Sequence, residues 1–262
     1  SLIFQPLLPM RSFRSLSPWL DVLAIAAWGL LFLKYWLSGK LYLLIHPSYM
    51  WLTVVAGFAM IILAGLKAVH LWRQTKRPKG YTEPANQSHM TLFPPGLSSA
   101  LLLVVAIFGL TFTPRAFASQ TAFDRGISDT LTMTRVKPQA FRGSENSEDK
   151  SIIDWIRTLT VYPEPDAYTG QKARVQGFVV HPPNMPNQYL LISRFVITCC
   201  AADVYPVSLP VKLSGGRDTY KPDAWFEVEG QMMTETLAGK RQLVIEAKSL
   251  KPIAEPKNPY DY

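Results

Sequence analysis

Cysteine is almost missing from this chain: there are two in 262 residues, and they are adjacent, Cys199 and Cys200. Two cysteines cannot build a disulfide framework, and the spaced pairs of a zinc ribbon are absent. So small a count says nothing about the redox state of the compartment. Acidic residues are scarce in the first part of the chain. Residues 1–119 hold 10 Lys and Arg but only 2 Asp and Glu, whereas residues 120–262 hold 17 of each sign. The net charge of +8 therefore lies wholly in the first part, in short stretches that flank apolar runs. Membrane topology puts positive charge there. A nucleic-acid footprint would sit on the folded, polar part instead, so no nucleic-acid partner is expected. The chain also lacks G-x-S-x-G, a P-loop, H-E-x-x-H and G-x-G-x-x-G. Its carboxylates are scattered and do not gather near a histidine. A hydrolase or kinase reading has no residues to rest on, and the expectation is that the chain is not an enzyme.

What is present first is a set of three apolar runs. Leu97 to Thr113 carries no charge and only small hydroxyls among its polar side chains. At about 17 residues it is near the lower limit for a helix that crosses a hydrocarbon core of roughly 30 Å. It reads as the last transmembrane helix, the one that delivers a polar domain to the far side of a membrane. The first run, Trp19 to Leu37, has Asp21 in its first turn and Lys34 near its end. Both are shallow enough to snorkel to the headgroups, and Trp19, Tyr35 and Trp36 suit the interfacial aromatic belts. A signal peptide is the competing reading. Against it stand the length of the run, the interruption by Lys34 and the lack of an A-x-A-like site close behind. The second run starts at Tyr49 and extends to His70. Ala116-Phe117-Ala118 after the third run resembles a signal-peptidase site, but an internal span ending at Arg115 reads as a retained anchor.

Orientation follows from the basic residues. Arg11, Arg14, Arg73, Lys76, Arg77 and Lys79 lie on one side, in the leading segment and the polar loop of residues 73–95. Lys40 and Arg115 lie on the other. Six against two puts the first segment in the cytoplasm. Three spans within residues 1–118, at about 19–37, 49–70 and 97–113, then put the remainder outside it, in a periplasm or lumen. The membrane is taken as a bacterial inner membrane, or a photosynthetic one.

Residues 119–150 read as a linker. Within residues 151–262, Ser151 is placed to N-cap a short helix, with Asp154 three residues on and Ile152, Ile153, Ile156 and Leu159 as its apolar face. From Gly170 the period changes to two. Ala173, Val175, Gly177 and Val179 alternate with Lys172, Arg174, Gln176 and Phe178 as in a half-buried strand. Further strands are expected at Tyr189–Thr198, Pro206–Leu213, Trp225–Met232 and Gln242–Leu250, followed by a Pro-rich tail. Five strands in about 80 residues favour a small closed sheet over a sandwich, which needs about seven. The expected class is α+β: three transmembrane helices followed by an extracytoplasmic OB-like β-barrel.

Three stretches carry a resemblance: Gly177-Phe178-Val179; Leu191-Ile192-Ser193-Arg194-Phe195-Val196-Ile197-Thr198-Cys199-Cys200-Ala201-Ala202-Asp203; and Trp225-Phe226-Glu227-Val228-Glu229-Gly230. Together they resemble the YcgQ-like family of bacterial membrane proteins, over residues 165–250 in the main. The resemblance implies a permease-like integral membrane partner. It supplies no reaction. The three apolar runs here exceed the two expected of many members.

The most distinctive patch is Cys199-Cys200 with Asp203. Two thiolates could bind Zn²⁺ or Cu(I), with Asp203 or His181 as a further ligand, or they could act as a redox pair. Against this, adjacent side chains on a strand point to opposite faces, so the sulfurs converge only if the chain bends. The plain alternative is one cysteine in the core and one at a strand end, with Asp203 binding nearby backbone in a turn. Arg194 is expected either to pair with Glu227 or Glu229 across the sheet or to contact an anion. His181 reads as a loop residue before Pro182. Phe178, Tyr189 and Trp225 could stack on a ligand or serve as packing and partner contacts. Two functions stay open. One is a non-enzymatic, membrane-anchored accessory subunit of a permease or transporter. The other is a metal-binding or redox protein that works in metal delivery through Cys199 and Cys200.

Overall fold

The computed structural model describes residues 10–76, 96–126 and 146–262, with side chains of the first helix from Ser17 onward. The side chains of Arg11 and Arg14, all of Arg77 and Lys79, the loop of residues 80–95 and most of the expected linker lie outside the described residues. The chain forms two compact units, Ser1–Leu41 with Pro47–Pro114, and Tyr42–His46 with Arg115–Tyr262.

The first unit consists of α1 (Met10–Leu37), α2 (Pro47–Thr75) and α3 (Leu97–Thr111). Ser17–Leu37 and Pro47–Thr75 are long and apolar enough to cross a membrane. The third helix has 15 residues, which at 1.5 Å per residue is about 22 Å, short of a hydrocarbon core. It stops two residues earlier than expected because Thr113 precedes Pro114, which disfavours the helical backbone before it, and Phe112 is already extended. The last carbonyls of a helix have no partner within it, and here other groups meet them. The Phe108 carbonyl accepts the Phe112 N–H at 2.9 Å and the Thr111 hydroxyl, and Tyr35 from α1 donates to the Gly109 carbonyl at 2.6 Å. Lys34 donates to that of Leu110. Further along α1, Trp28 Nε1 donates to the Leu102 carbonyl at 3.0 Å. Asp21 and Lys34 both bond within this unit. Asp21 holds Lys67 of α2 at 2.6 Å and accepts from Ser99 of α3. In an apolar medium an ionised side chain is retained where it has such a partner.

The second unit is an α+β arrangement around a six-stranded mixed sheet. It holds α4 (Ser119–Asp124), α5 (Ile152–Val161), β1 (Lys172–Val180), β2 (Tyr189–Val196), β3 (Tyr205–Lys212), β4 (Trp225–Leu237), β5 (Lys240–Pro252) and β6 (Tyr260–Asp261). Helix α4 occupies the start of the stretch expected to be a linker. The capping box of α5 forms: Asp154 N–H donates to Ser151 Oγ at 3.3 Å, and Ser151 N–H to Asp154 Oδ2 at 3.1 Å. Its buried face includes Trp155, fully enclosed and left out of the expected face.

The order is β1-β4-β5-β3-β2-β6, with β1 also paired to β2. Each of β1 to β5 therefore has a strand on both sides. The ladders are antiparallel except β3–β5 and β2–β6, which are parallel. Strands β4 and β5 are longer than the alternation suggested, at 13 residues each. The two-residue loop Ala238-Gly239, with positive φ at both positions, joins them as a tight hairpin turn. The Pro-rich tail is corrected too: Tyr260 and Asp261 form β6 along Phe195 and Val196 of β2. A two-residue strand leaves no periodicity to read, and burial of the Tyr260 ring is what ties it down.

The alternating positions fill two cores. One holds Ile152, Trp155, Val175, Val179, Ile192, Leu209, Val228, Met232 and Ile245. The other holds Leu43, Ala122, Phe178, Leu191, Phe195, Trp225 and Tyr260. Two glycines let strands approach closely. A Cβ at Gly177 would meet the Ser193 carbonyl at 2.5 Å, and one at Gly230, beside the bulge at Glu229/Gly230, would press still closer on the Glu246 carbonyl. Neither neighbour can swing away, since both are backbone. Gly177→Ala and Gly230→Ala should each destabilise this unit by about 1–3 kcal/mol, as overpacking does. Gly215→Ala, which meets nothing within 4 Å, should stay within about 0.5 kcal/mol of the parent. Urea titration of the full chain in detergent, followed by tryptophan fluorescence, measures all three.

Candidate functional site

Strands β2 and β3 are antiparallel neighbours, with Val196 opposite Tyr205. Residues 197–204 turn the chain between them, and the bend falls at Thr198-Cys199. The Asp203 carboxylate holds the turn from inside. It accepts from Cys199 N–H at 2.8 Å, Cys200 N–H at 3.3 Å and the Thr198 hydroxyl, while Asp203 N–H donates to the Cys200 carbonyl at 3.0 Å. This bend defeats the strand rule that would part the two thiols. Their sulfurs lie 3.7 Å apart, Cys199 exposed and Cys200 half-buried, both as free thiols.

The other side of the turn meets a segment far away in sequence. Ile45 pairs with Cys200 as an antiparallel bridge. His46 N–H donates to the Cys199 carbonyl at 3.1 Å, and Ala201 N–H donates to the Leu44 carbonyl at 2.8 Å. The connection between α1 and α2 thus serves as a short extra edge on the turn.

Charge on the turn is lopsided. Burial opposes ionisation of Asp203, but the Thr198 hydroxyl and the Cys199 donors outweigh it and hold the carboxyl at about 2. That fixed anion, hydrogen-bonded beside the Cys199 thiol, together with the Cys200 thiol, pushes Cys199 up to about 11. At neutral pH Cys199 is therefore protonated. Of the expected metal set, Cys199, Cys200 and Asp203 share this turn, but the carboxylate is already engaged by the turn's own donors. His181 has other surroundings: Arg217, Tyr220 and Asp218, with burial pushing its pKa down. Among the described residues, no group of three or more His, Cys, Asp or Glu is placed to hold a metal ion.

The remaining candidates turn inward. Arg194 does not reach Glu227 or Glu229. It lies on β2, whose neighbours are β1, β3 and β6, whereas those acids lie on β4 opposite Gln176 and Arg174 of β1. Arg174 takes Glu227 at 3.1 Å, and Arg194 pairs with Asp261 of β6 at 3.2 Å. That approach has ion-pair distance without hydrogen-bond alignment, and the guanidinium also donates to the Asn258 carbonyl at 3.2 Å. Burial raises the Asp261 pKa and Arg194 works against the rise. Phe178 is buried and stacked on Phe195 at 5.3 Å, with Trp225 edge-on at 5.9 Å. Tyr189 is buried and donates to Glu235. These rings pack against the protein's own core and present no open face for a ligand. A surface depression lined by Pro186, Asn187, Gln188, Leu213, Ser214, Gly215 and Gly216 carries no titratable side chain.

Sequence reasoning missed Ile45, His46 and Asp261. The available signal for the first two was Leu41-Tyr42-Leu43-Leu44-Ile45, a connection more apolar than a simple loop needs.

The thiol reactivity is testable. Thiolate fraction sets alkylation rate, so modification of Cys199 by iodoacetamide should keep rising roughly tenfold per pH unit past the ordinary thiol value of about 8.5, levelling only near 11. Asp203→Asn removes the anion and should shift that profile to lower pH. Peptide mass spectrometry on the full chain reads the rate, and a plateau near pH 8.5 in the parent would contradict the assignment.

A search of curated proteins finds no match to this chain. Two family models do match. One, described as the DUF1980 N-terminal domain, covers residues 20–128, and the other, described as the DUF1980 C-terminal domain, covers residues 133–262. The break between them falls between the helical part and the sheet, and together they span nearly all of the sequence. The chain belongs to the DUF1980 family, an uncharacterised family of two successive domains.

Proposed function

We propose that this protein is a non-enzymatic, membrane-anchored accessory subunit of a larger integral membrane protein, a permease or transporter. In this reading all three helices cross the bilayer and the C-terminal domain covers the partner on the extracytoplasmic side. The five strands that each have a strand on both sides are read as a small OB-like barrel.

The observation that carries the reading is the inclusion of Tyr42–His46 in the C-terminal unit. That segment joins α1 to α2, so the domain shares a membrane face with the connection. If α1 and α2 both cross, the chain leaves α2 on the opposite face. Only a crossing by α3 returns it. The short α3 is suited to this because α1 supplies partners for its terminal carbonyls, and unpaired carbonyls are what the hydrocarbon penalises. The face so reached is the one poorer in Lys and Arg, which is the extracytoplasmic one.

The bilayer reading itself rests on exposed apolar area. Helix α2 has 29 residues, of which only Gly57 and Ala64 are buried, while Leu52, Val55, Phe58, Ile62, Leu63 and Leu66 are exposed. A helix apolar around its whole girth needs an apolar surrounding. The permease partner is what the sequence resemblance implies, and the missing catalytic motifs favour a supporting role.

The natural cysteines provide the test, since both lie in the C-terminal unit. After mild reduction, a membrane-impermeant maleimide added to sealed, right-side-out cells should label Cys199, with labelling no greater after permeabilisation. Labelling only after permeabilisation refutes the orientation. Extraction in mild detergent should yield a stoichiometric complex with a multi-span membrane protein; a strict monomer across detergents counts against the partner.

A further inference from the structure

We propose that Cys199 and Cys200 form a reversible vicinal disulfide, and that closing it loosens the Tyr42–His46 edge that leads into α2.

The geometry already brings the sulfurs together. Side chains of neighbours in an extended chain point apart, but the Asp203-held bend leaves the sulfurs 3.7 Å from each other, with Cys199 open to solvent. Closing that gap needs a local adjustment and no domain motion. The bond differs from a structural staple. Adjacent Cα atoms are about 3.8 Å apart across a trans peptide, below the usual disulfide range of roughly 4.4–6.8 Å. Such a ring is strained, and strained, exposed disulfides are the labile, regulatory kind.

The strain has a definite place to go. The eight-membered ring contains the Cys199 carbonyl carbon and the Cys200 nitrogen. The carbonyl oxygen is the acceptor for His46 N–H, and Cys200 is the bridge partner of Ile45. The Cys199 and Cys200 N–H groups are the donors to Asp203. Turning this peptide to close the ring turns the carbonyl away from His46, and the neighbouring Ala201-to-Leu44 bond weakens with it.

The chemistry is thiol–disulfide exchange with a disulfide R–S–S–R as the oxidant. One cysteine thiolate attacks R–S–S–R, forming a mixed disulfide and releasing one R–S⁻. The second thiolate attacks the mixed disulfide, forming the Cys199–Cys200 bond and releasing the other. Two electrons pass to the oxidant, and the two thiol protons end on two R–SH. The high Cys199 pKa makes Cys199 a slow first nucleophile at neutral pH and makes the exchange faster as pH rises. An extracytoplasmic placement, which belongs to the function proposed above, would supply disulfide oxidants. The experiment below does not depend on that placement or on a partner.

The full chain in detergent, treated with chelator, is equilibrated in buffers of reduced and oxidised glutathione. The expected result is loss of both alkylatable thiols with an intact mass lower by two hydrogens. Hydrogen exchange at the His46 and Ala201 amides should accelerate at least tenfold, and both effects should reverse on reduction. Cys199→Ser and Cys200→Ser should give only a glutathione adduct or a crosslinked dimer, with exchange at His46 as in the reduced parent. Persistence of both thiols in fully oxidised buffer, adducts on the parent without ring closure, or ring closure that leaves His46 exchange unchanged would each overturn the proposal.

Discussion

A backbone N–H or C=O removed from water has to find a partner, and the places where this chain meets that demand with distant residues organise it. The last carbonyls of α3 are met by Tyr35 and Lys34 from α1. The turn of residues 197–204 is met by one carboxylate, Asp203, and by the segment 42–46. Leaving such groups unmade costs more than making them gains, so each partnership fixes a position that propensity alone would leave loose. Helix α3 stays helical to Thr111, and the Cys199-Cys200 bend keeps a shape that a bare loop would not hold.

The sheet applies the same rule to strands. Because β1 pairs with both β4 and β2, and β3 with β5, each strand from β1 to β5 has a neighbour on both sides along part of its length. The remaining margin of β2 takes β6, which brings Asp261 to Arg194 in a mostly enclosed pair. Enclosed pairs are costly to desolvate, and their best-attested use is to fix register. Arg194 suits that use here, because the two-residue strand β6 has little else to set where along β2 it lies. The second core, built from Phe178, Phe195, Trp225 and Tyr260, closes over the same region.

Much of this was legible in the residues. The alternation in β1, β4 and β5 placed Ala173, Val175, Val179, Val228, Met232, Leu243 and Ile245 in the core, but Phe178, Trp225 and Glu227 on the opposite faces are buried as well, and Ser151 with Asp154 announced the start of α5. The adjacent cysteines with Asp203 marked the turn. The illegible parts share one cause: contacts between residues far apart along the chain leave no local pattern. Ile45 with Cys200, Arg194 with Asp261 and Lys34 with the α3 carbonyls are of that kind. For Arg194 the sequence offers the acids of β4, whereas strand order decides who its neighbours are. Trp155 falls outside an apolar stripe that runs through the aliphatic residues of α5 alone, yet its ring is fully enclosed. Sequence cannot show that the second core covers Phe178 and Trp225, or that Tyr189 is buried against Leu237 and Val244.

The participation of residues 42–46 in the C-terminal domain reaches into how the molecule is made. An edge that precedes α2 in synthesis must wait until β2 and β3 emerge more than a hundred residues later before its hydrogen bonds can form. Excising residues 115–262 as a free fragment would strip the Cys199 carbonyl and the Ala201 amide of their partners and uncover the side of the second core that Leu43 seals. The segment 42–46 ahead of α2 is thus a structural part of the domain that follows α3, and the natural boundary between the two halves of this protein is not a single cut in the polypeptide.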